Sequence, residues 1–183
     1  DPLAAKRPLH PAKAKRVIFL FMQGGVSHVD SFDYKPRIAR DEGKMMPFDD
    51  ARTVANTGAK GSSQRIMKGP WDFARHGKSG RWASSLFPEM NKHGDDLCFL
   101  HGMHTDGVAH GPATLFLHCG STTQIRPSMG SWVLYGLGTE NANLPGFVVI
   151  SPAQPAQGAP LWSSSFLPAA YQGTLVSALK RPS

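Results

Sequence analysis

Three short apolar runs organise the hydrophobic pattern of the chain: RVIFLFM (16–22), DLCFLHG (96–102) and GFVVIS (146–151). Each run is continuous instead of alternating, is rich in β-branched or aromatic residues, and has the length of a strand. Runs of this kind are typical of strands covered on both faces, as in a parallel sheet with helices on either side. The pattern therefore predicts an α/β fold with a mostly parallel sheet and flanking helices.

Two segments between the second and third runs predict helices with clear ends. HGPATLFLHCG (110–120) places Pro112 near its first turn and Gly120 at its end, which are positions that these residues favour in helices. SMGSWVLYGLG (128–138) predicts a second, shorter helix. The connections are long enough for crossovers, so the elements follow the order β-α-β-α-β.

The segment between the first and second runs is less regular. Four large apolar residues recur there at helical spacing: Trp82, Leu86, Phe87 and Met90. They predict a helix that Pro88 kinks or splits and that Gly94 ends. Residues 35–80 lack clear periodicity and are rich in turn formers, so they predict a long surface insertion with a short hairpin around Gln64 to Phe73.

The chain of 183 residues, with 40% hydrophobic and 18% charged residues, has the composition of an ordinary globular domain. No run approaches the ~20 apolar residues of a membrane-spanning helix, so no membrane span is predicted. Residues 1–15 predict a basic, Pro- and Ala-rich leader, and residues 16–183 predict part of a single domain. Cys98 and Cys119 have no CxxC spacing, and Cys98 lies in an apolar run, which predicts a buried thiol.

The net charge of +7 raises the question of nucleic-acid binding. Residues 1–16 hold five basic side chains against Asp1, a sum of +4, and the remaining +3 is scattered over the rest of the chain. A basic leader of this kind is typical of a solvated linker. Zinc-finger, KH and RNP motifs are also missing from the sequence, so no nucleic-acid partner is expected.

Polar side chains follow each apolar run. The segments are QGGVSHVD (23–30), HGMHTD (101–106) leading to His110, and SPAQ (151–154). Ligands of an open parallel sheet bind beyond the carboxyl ends of its strands, so we expect these segments to share one edge. Glycine allows close backbone approach, and the segment Gln23, Gly24 and Gly25 is therefore predicted to line the pocket.

Imidazole and carboxylate groups beside glycine turns suit a divalent metal such as zinc, calcium or manganese. The candidate ligands are His28, Asp30 and His110. His110 opens a predicted helix, whose dipole favours a neutral imidazole that can bind a metal or act as a nucleophile. The same helix start could hold an oxyanion. His104 and His110 are the candidate catalytic residues.

Structural explanations exist for several of these side chains. Asp30 and Asp33 can form Asx turns or cap a helix. His118, at the end of a predicted helix, can pack against neighbours or neutralise the dipole. A histidine on a loop is commonly exposed to solvent without any function. The spacing His28-x-Asp30 by itself is moderately specific for a metal site.

Four stretches of the chain together resemble the DUF1501 proteins, a family of uncharacterised function that is often labelled sulfatase-like. They are GGVSHVDSFDYKP (24–36), HGMHTD (101–106), HGPATLFLHCG (110–120) and PSMGSWVLYGLGTENANLPGFVVI (127–150). The resemblance runs from about residue 14 to 173. It implies an alkaline-phosphatase-like fold, of which this chain would be the N-terminal portion. It also implies an exported protein, although no signal peptide is visible here.

The resemblance implies hydrolysis of phosphate or sulfate esters, small or polymeric, assisted by divalent metal ions. Gln23 stands where the superfamily has an Asp ligand, and His110 stands where it has the nucleophile. Pro112 and Thr114 also depart from the sulfatase pattern, so a sulfatase mechanism is not predicted. His110 could be a metal ligand or a phosphoryl-accepting nucleophile. The alternative is a non-catalytic exported surface or carbohydrate-binding protein that retains the fold.

Overall fold

The computed structural model describes residues 1–47, 63–103, 105–107, 109–141, 143–153, 155 and 157–177. This part of the chain has a mixed α/β structure of short helices and two-stranded sheets. It divides into two compact units. The central unit is Gly24–His104, and the terminal unit combines Asp1–Gln23 with Thr105–Ser183.

The described residues of the central unit form three short helices and two antiparallel strand pairs. Its elements are α1 (His28–Ser31), α2 (Pro36–Arg40), β1 (Met45–Pro47), β2 (Ser63–Arg65), β3 (Phe73–His76), β4 (Arg81–Ser84) and α3 (Pro88–Asn91). Strand β1 pairs with β2, and β3 pairs with β4 so that Phe73 lies opposite Ser84.

Ser84 joins three of these elements. Its hydroxyl donates to the backbone oxygen of Asp30 in α1 at 2.5 Å, and its own backbone oxygen accepts from the side-chain amide of Asn91 in α3 at 2.7 Å. Phe32 adds apolar contacts, with its ring centroid 5.7 Å from that of Phe87 and 4.9 Å from that of Phe99. Ser84 is buried at 1% exposure and Asn91 at 7%, so the bond between them lies away from water, and the bond to Asp30 is partly buried.

In the terminal unit, the residues that the structure describes form two longer helices and one parallel strand pair. Its elements are α4 (His110–Cys119), α5 (Met129–Leu137), β5 (Val148–Ser151), two 3-10 turns (Ala159–Trp162 and Ala169–Tyr171) and β6 (Thr174–Ser177). Strand β5 runs parallel to β6, with Val148 opposite Thr174. Among the described helices of both units, none has the length and apolar character needed to cross a membrane.

Both longer helices were predicted, and their ends follow local chemistry. Helix α4 ends at Gly120, whose φ of 72° is left-handed, a conformation that favours glycine. Helix α5 begins after Ser128, whose hydroxyl accepts from the backbone N–H of Ser131 at 3.4 Å. Ser131 donates onward to the backbone oxygen of Ser163 at 3.0 Å, which ties α5 to the first 3-10 turn.

The first six residues run along the end of α5. The backbone N–H of Lys6 donates to Leu137 O at 2.8 Å, and Thr139 N–H donates to Leu3 O at 2.8 Å. The Lys6 ammonium also lies 5.0 Å from the ring centroid of Tyr135. This part of the predicted leader therefore forms backbone hydrogen bonds with the residues at the end of α5.

The sheet differs from the mostly parallel one that was predicted. Of the three strand pairs in the described residues, only β5–β6 is parallel, and it contains the third predicted strand. Residues 16–22 and 96–102 form no strand. An apolar run becomes a buried strand only when neighbours supply hydrogen bonds and cover both faces, and Ile18 and Leu20 remain 82% and 86% exposed.

Only one side of the segment 16–22 packs against another element, and that element is α4. The ring centroids of Phe19 and Phe21 lie 5.5 and 4.6 Å from that of His118, both edge to face. His118 Nδ1 lies 2.8 Å from the backbone oxygen of Thr114, one turn back in α4. His118 therefore packs against neighbouring rings, which is one of the two structural roles predicted for it.

The prediction of a helix around residues 82–90 was wrong in its first half. Trp82 belongs to β4, where a tight hairpin with β3 overrides the helical spacing. Pro88 starts α3 instead of kinking a longer helix, because the first helical position needs no N–H donor.

The predicted hairpin and the predicted buried thiol are also corrected. Gln64 pairs with Met46 in β1–β2, whereas Phe73 belongs to the separate β3–β4 hairpin. Residues 48–62 of the predicted insertion lie outside the described residues. Cys98 is exposed, because no strand forms around it, and Cys119 is buried.

We expect Gly120→Ala to lower the free energy of unfolding by about 1 kcal/mol, because the left-handed φ at the end of α4 strains any L side chain. A Cβ there meets no atom within 4 Å, so the effect isolates backbone strain. Urea unfolding followed by tryptophan fluorescence measures it.

Gly136→Ala is the matched control, since Gly136 lies inside α5 and its Cβ would also meet nothing within 4 Å. That substitution is expected to be neutral or stabilising by roughly 0.5–1 kcal/mol. Equal effects of the two substitutions would contradict the capping role of Gly120.

Candidate functional site

The loop after the first apolar run folds into the single turn of α1. Ser27, just before α1, donates its hydroxyl to Asp30 Oδ2 at 2.6 Å, and the Ser31 hydroxyl donates to Ser27 O at 2.7 Å. The backbone N–H of Asp33 donates to His28 O at 2.9 Å and closes the turn. Short polar side chains therefore fix the loop and leave the His28 ring exposed.

A carboxylate, an ammonium and an imidazole meet at the end of this loop, and the exposed His28 ring acts on the carboxylate through its charge. Lys35 Nζ lies 2.9 Å from Asp33 Oδ1, and His101 Nδ1 lies 3.9 Å from the same oxygen. The hydrogen bond from Lys35 is the main cause that lowers the pKa of Asp33, and the charges of Lys35, His101 and His28 lower it further. Asp33 is thus held as an anion between positive or basic groups.

Aromatic contacts hold His101 next to this loop. Its ring lies 5.8 Å from that of Phe99, at an interplanar angle of 23°. Phe99 packs on Phe32, one residue beyond α1, and the Arg81 guanidinium lies 5.4 Å from the Phe99 centroid. The central unit therefore brings together the segments that follow the first and second apolar runs. We name His28, Asp33, Lys35 and His101 the imidazole cluster.

Asp30 has local partners instead of a free carboxylate. Its Oδ2 accepts a hydrogen bond from the Ser27 hydroxyl. Its Oδ1 lies so close to Gly69 that a Cβ at position 69 would collide with it, so the absence of a side chain there makes room for the carboxylate. This arrangement gives Asp30 a local structural partner, and both its capping and its ligand role stay predictions.

The described residues do not supply a complete set of metal ligands. Among them, no group of three or more His, Cys, Asp or Glu side chains could hold a metal ion. One oxygen of each nearby aspartate already has a partner: Asp33 Oδ1 accepts from Lys35, and Asp30 Oδ2 accepts from Ser27. His104, a candidate catalytic residue, lies outside the described residues.

His110 is the exposed first residue of α4 in the terminal unit, as predicted for a helix start. Next to it, a Cβ on Gly111 would collide with the side-chain nitrogen of Gln157. Gln157 Oε1 is buried and finds no hydrogen-bond partner within the described residues. The residues that were predicted to line the pocket, Gln23, Gly24 and Gly25, are exposed. Gln23 is the last residue of the first segment of the terminal unit, and Gly24 and Gly25 begin the central unit.

Four polar residues near these positions were not predicted as site residues: Lys35, Arg81, His101 and Gln157. His101 stands in the segment after the second apolar run, where His104 was the candidate. Lys35 follows Asp33 by two positions, and that short spacing was the available signal for an ion pair. Arg81 and Gln157 are brought to the sites by non-local folding, and no motif marks them. The terminal and central units each position their own candidate residues.

We expect Lys35→Ala to raise the pKa of Asp33 towards its ordinary value, because the ammonium is the main group that stabilises the anion. Asp33 has a lower pKa in the folded protein than in the unfolded chain. The ion pair with Lys35 therefore stabilises the fold fully above about pH 4, the pKa of an unfolded aspartate. This contribution disappears as the pH falls through the pKa of Asp33 in the folded protein. Carboxyl ¹³C NMR titration measures the shift.

Lys92→Ala is the control, because Lys92 pairs with Glu89 at 2.6 Å and not with Asp33. An Asp33 titration that is unchanged in Lys35→Ala would contradict the ion pair.

Comparison with known proteins gives a match to a family model. The model is DUF1501, described as a protein of unknown function, and it covers residues 14–182. No curated protein and no solved structure matches the chain. Since the match extends over most of the sequence, including both sets of candidate residues, the chain belongs to the DUF1501 family.

Proposed function

We propose that the chain is the N-terminal portion of an exported, alkaline-phosphatase-like hydrolase that acts on phosphate or sulfate esters. The observation that carries the proposal is the imidazole cluster, in which His101 Nδ1 lies 3.9 Å from an ionised Asp33 carboxylate. An exposed imidazole close to a carboxylate is a common arrangement for general acid–base catalysis.

The charges around the cluster suit an anionic ester. Lys35 and Arg81 are the nearby cations, and Arg81 stands over the ring that packs on His101. The His101 side chain is 47% exposed, so a substrate can reach it. In this proposal His101 transfers the proton, Asp33 orients it, and the two cations bind the ester oxygens.

The metal in this proposal comes from the family resemblance and from the predicted ligands His28, Asp30 and His110. The described residues do not fit a metal site, since they offer no three-ligand group and both nearby aspartates have other partners. No catalytic step is therefore assigned to a metal here.

We expect His101→Ala to lower the turnover of p-nitrophenyl phosphate or sulfate by roughly 10²- to 10⁴-fold, the usual contribution of a general acid or base. His93→Ala is the matched control, because His93 is a loop histidine of the same unit whose side chain is 69% exposed and whose partner is Asp96. Initial rates over a range of pH measure the effect.

Equal rates for His101→Ala and His93→Ala would contradict the assignment of His101. Metal analysis of the purified protein tests the ligand prediction separately. A stoichiometric divalent ion that is lost in His28→Ala and His110→Ala would support those ligands, and full retention of the ion would contradict them.

The second candidate function is carbohydrate binding without catalysis. An exposed aromatic surface in the terminal unit favours it: the Trp132 ring lies 5.8 Å from that of Tyr135 and 6.0 Å from that of Phe166. Trp132 is 45% exposed and Phe166 is 70% exposed. Large exposed aromatic rings are a common feature of binding surfaces.

For this candidate, we expect retention on a panel of neutral and sulfated polysaccharides without hydrolysis, and weaker retention of Trp132→Ala. Affinity electrophoresis measures retention, and product analysis measures hydrolysis. Trp71→Ala is the control, since Trp71 is a 38% exposed tryptophan of the central unit. Hydrolysis of the bound polymer, or equal retention of both variants, would contradict the second candidate.

A further inference from the structure

Four basic side chains surround the turn between α2 and β1, outside the imidazole cluster. Arg37 and Arg40 lie on α2, Lys44 directly precedes β1, and Arg65 ends β2. Arg65 Nη1 donates to the backbone oxygen of Gly43 at 2.7 Å, which places this cation at the same turn. We name Arg37, Arg40, Lys44 and Arg65 the cationic turn.

Asp41 gathers three of these cations around one carboxylate. Its oxygens lie 2.9 Å from Lys44 Nζ, 3.1 Å from Arg40 Nη2 and 3.7 Å from Arg37 Nε. The hydrogen bonds from Arg40 and Lys44 lower the pKa of Asp41 well below its ordinary value, so the carboxylate stays ionised. One anion cannot neutralise three cations, so positive charge remains in excess at the turn.

The excess charge faces water. The side chains of Arg37, Arg40 and Lys44 are 80%, 64% and 65% exposed, whereas that of Asp41 is 15% exposed. The four cations stand against two carboxylates of the turn, Asp41 and Glu42, which leaves a net charge of +2. Each basic group has more N–H donors than its contacts within the turn use, so donors remain available to a ligand.

The donors narrow the chemistry of that ligand. A guanidinium presents its N–H groups in a planar fork that matches two oxygens of a sulfate or phosphate group. A single exposed ion pair contributes little binding free energy, so several cations at one turn favour a polymer that carries many anionic groups.

The lack of free aromatic rings beside these cations separates two kinds of polymer. Single-stranded nucleic acids gain much of their affinity from bases that stack on exposed rings. Residues 37–47 contain no aromatic residue, and the ring of Tyr34, which precedes them, packs 4.5 Å from that of Trp82. The cationic turn therefore fits a sulfated polysaccharide better than a nucleic acid.

We propose that the cationic turn is a binding surface for a sulfated polysaccharide. Arg37 and Arg40 bind sulfate oxygens through their guanidinium groups, and Lys44 and Arg65 hold further sulfates of the same polymer. The surface belongs to the central unit and is separate from the aromatic surface around Trp132 in the terminal unit. The proposal stands whether or not the imidazole cluster hydrolyses esters.

The test is a calorimetric titration of the whole chain with dextran sulfate, and with unsulfated dextran as the matched neutral probe. We expect saturable binding of dextran sulfate that weakens as the salt concentration rises, and no binding of dextran. Absence of binding to dextran sulfate, or equal binding of dextran, would overturn the proposal. Tighter binding of single-stranded DNA or of vesicles with anionic lipids at the same salt concentration would overturn the choice of polysaccharide.

The double substitution Arg37→Gln with Lys44→Gln locates the surface. We expect about tenfold weaker binding of dextran sulfate, because charged hydrogen bonds to the sulfates are lost. Lys92→Gln with Arg126→Gln is the control, since it removes the same charge from exposed positions outside the turn. Equal weakening by the two double variants would assign the binding to the net charge of the whole chain and overturn the proposal.

Glu42→Gln tests the same surface by a gain of affinity, which a damaged fold would not produce. Glu42 is an exposed carboxylate of the turn that repels sulfate groups, so its removal is expected to tighten binding by about threefold. Glu89→Gln is the control, because Glu89 is 81% exposed and pairs with Lys92 instead. No tightening in Glu42→Gln, or equal tightening in both variants, would overturn the proposal.

Discussion

The two hydrogen bonds of the buried Ser84 are the constraint on which the central unit depends. One bond holds the backbone of α1, and the other holds α3 through Asn91. The first fixes the loop that carries the imidazole cluster, and the second fixes α3 against the end of β4. A single serine thus joins three elements, and the burial of its side chain makes these bonds costly to lose.

Local chemistry explains why the helices of the terminal unit were predictable. Gly120 and Ser128 set the end of α4 and the start of α5 through contacts within a few residues of each other in sequence. The strands were not predictable in the same way, because pairing depends on distant residues. Residues 16–22 have the composition of a buried strand, yet only Phe19 and Phe21 find ring partners.

The candidate site shows the same division between local and non-local information. The glycine turn and its polar residues identified the loop around His28 and Asp33. His101 stands in the segment after the second apolar run, but His104 and His110 were the predicted catalytic residues. The Lys35 ion pair and the positions of His101 and Arg81 depend on how the chain folds, and the spacing of residues alone did not reveal them.

The uncovered side of residues 16–22 has a consequence for handling the protein. Ile18 and Leu20 present adjacent branched side chains to water, with 82% and 86% of their surface exposed. Surface of this kind drives reversible self-association, which grows with protein concentration and with salts that strengthen apolar contacts. Light scattering at several dilutions should therefore accompany every binding measurement on this chain, so that a change in particle size is not taken for recognition of a ligand.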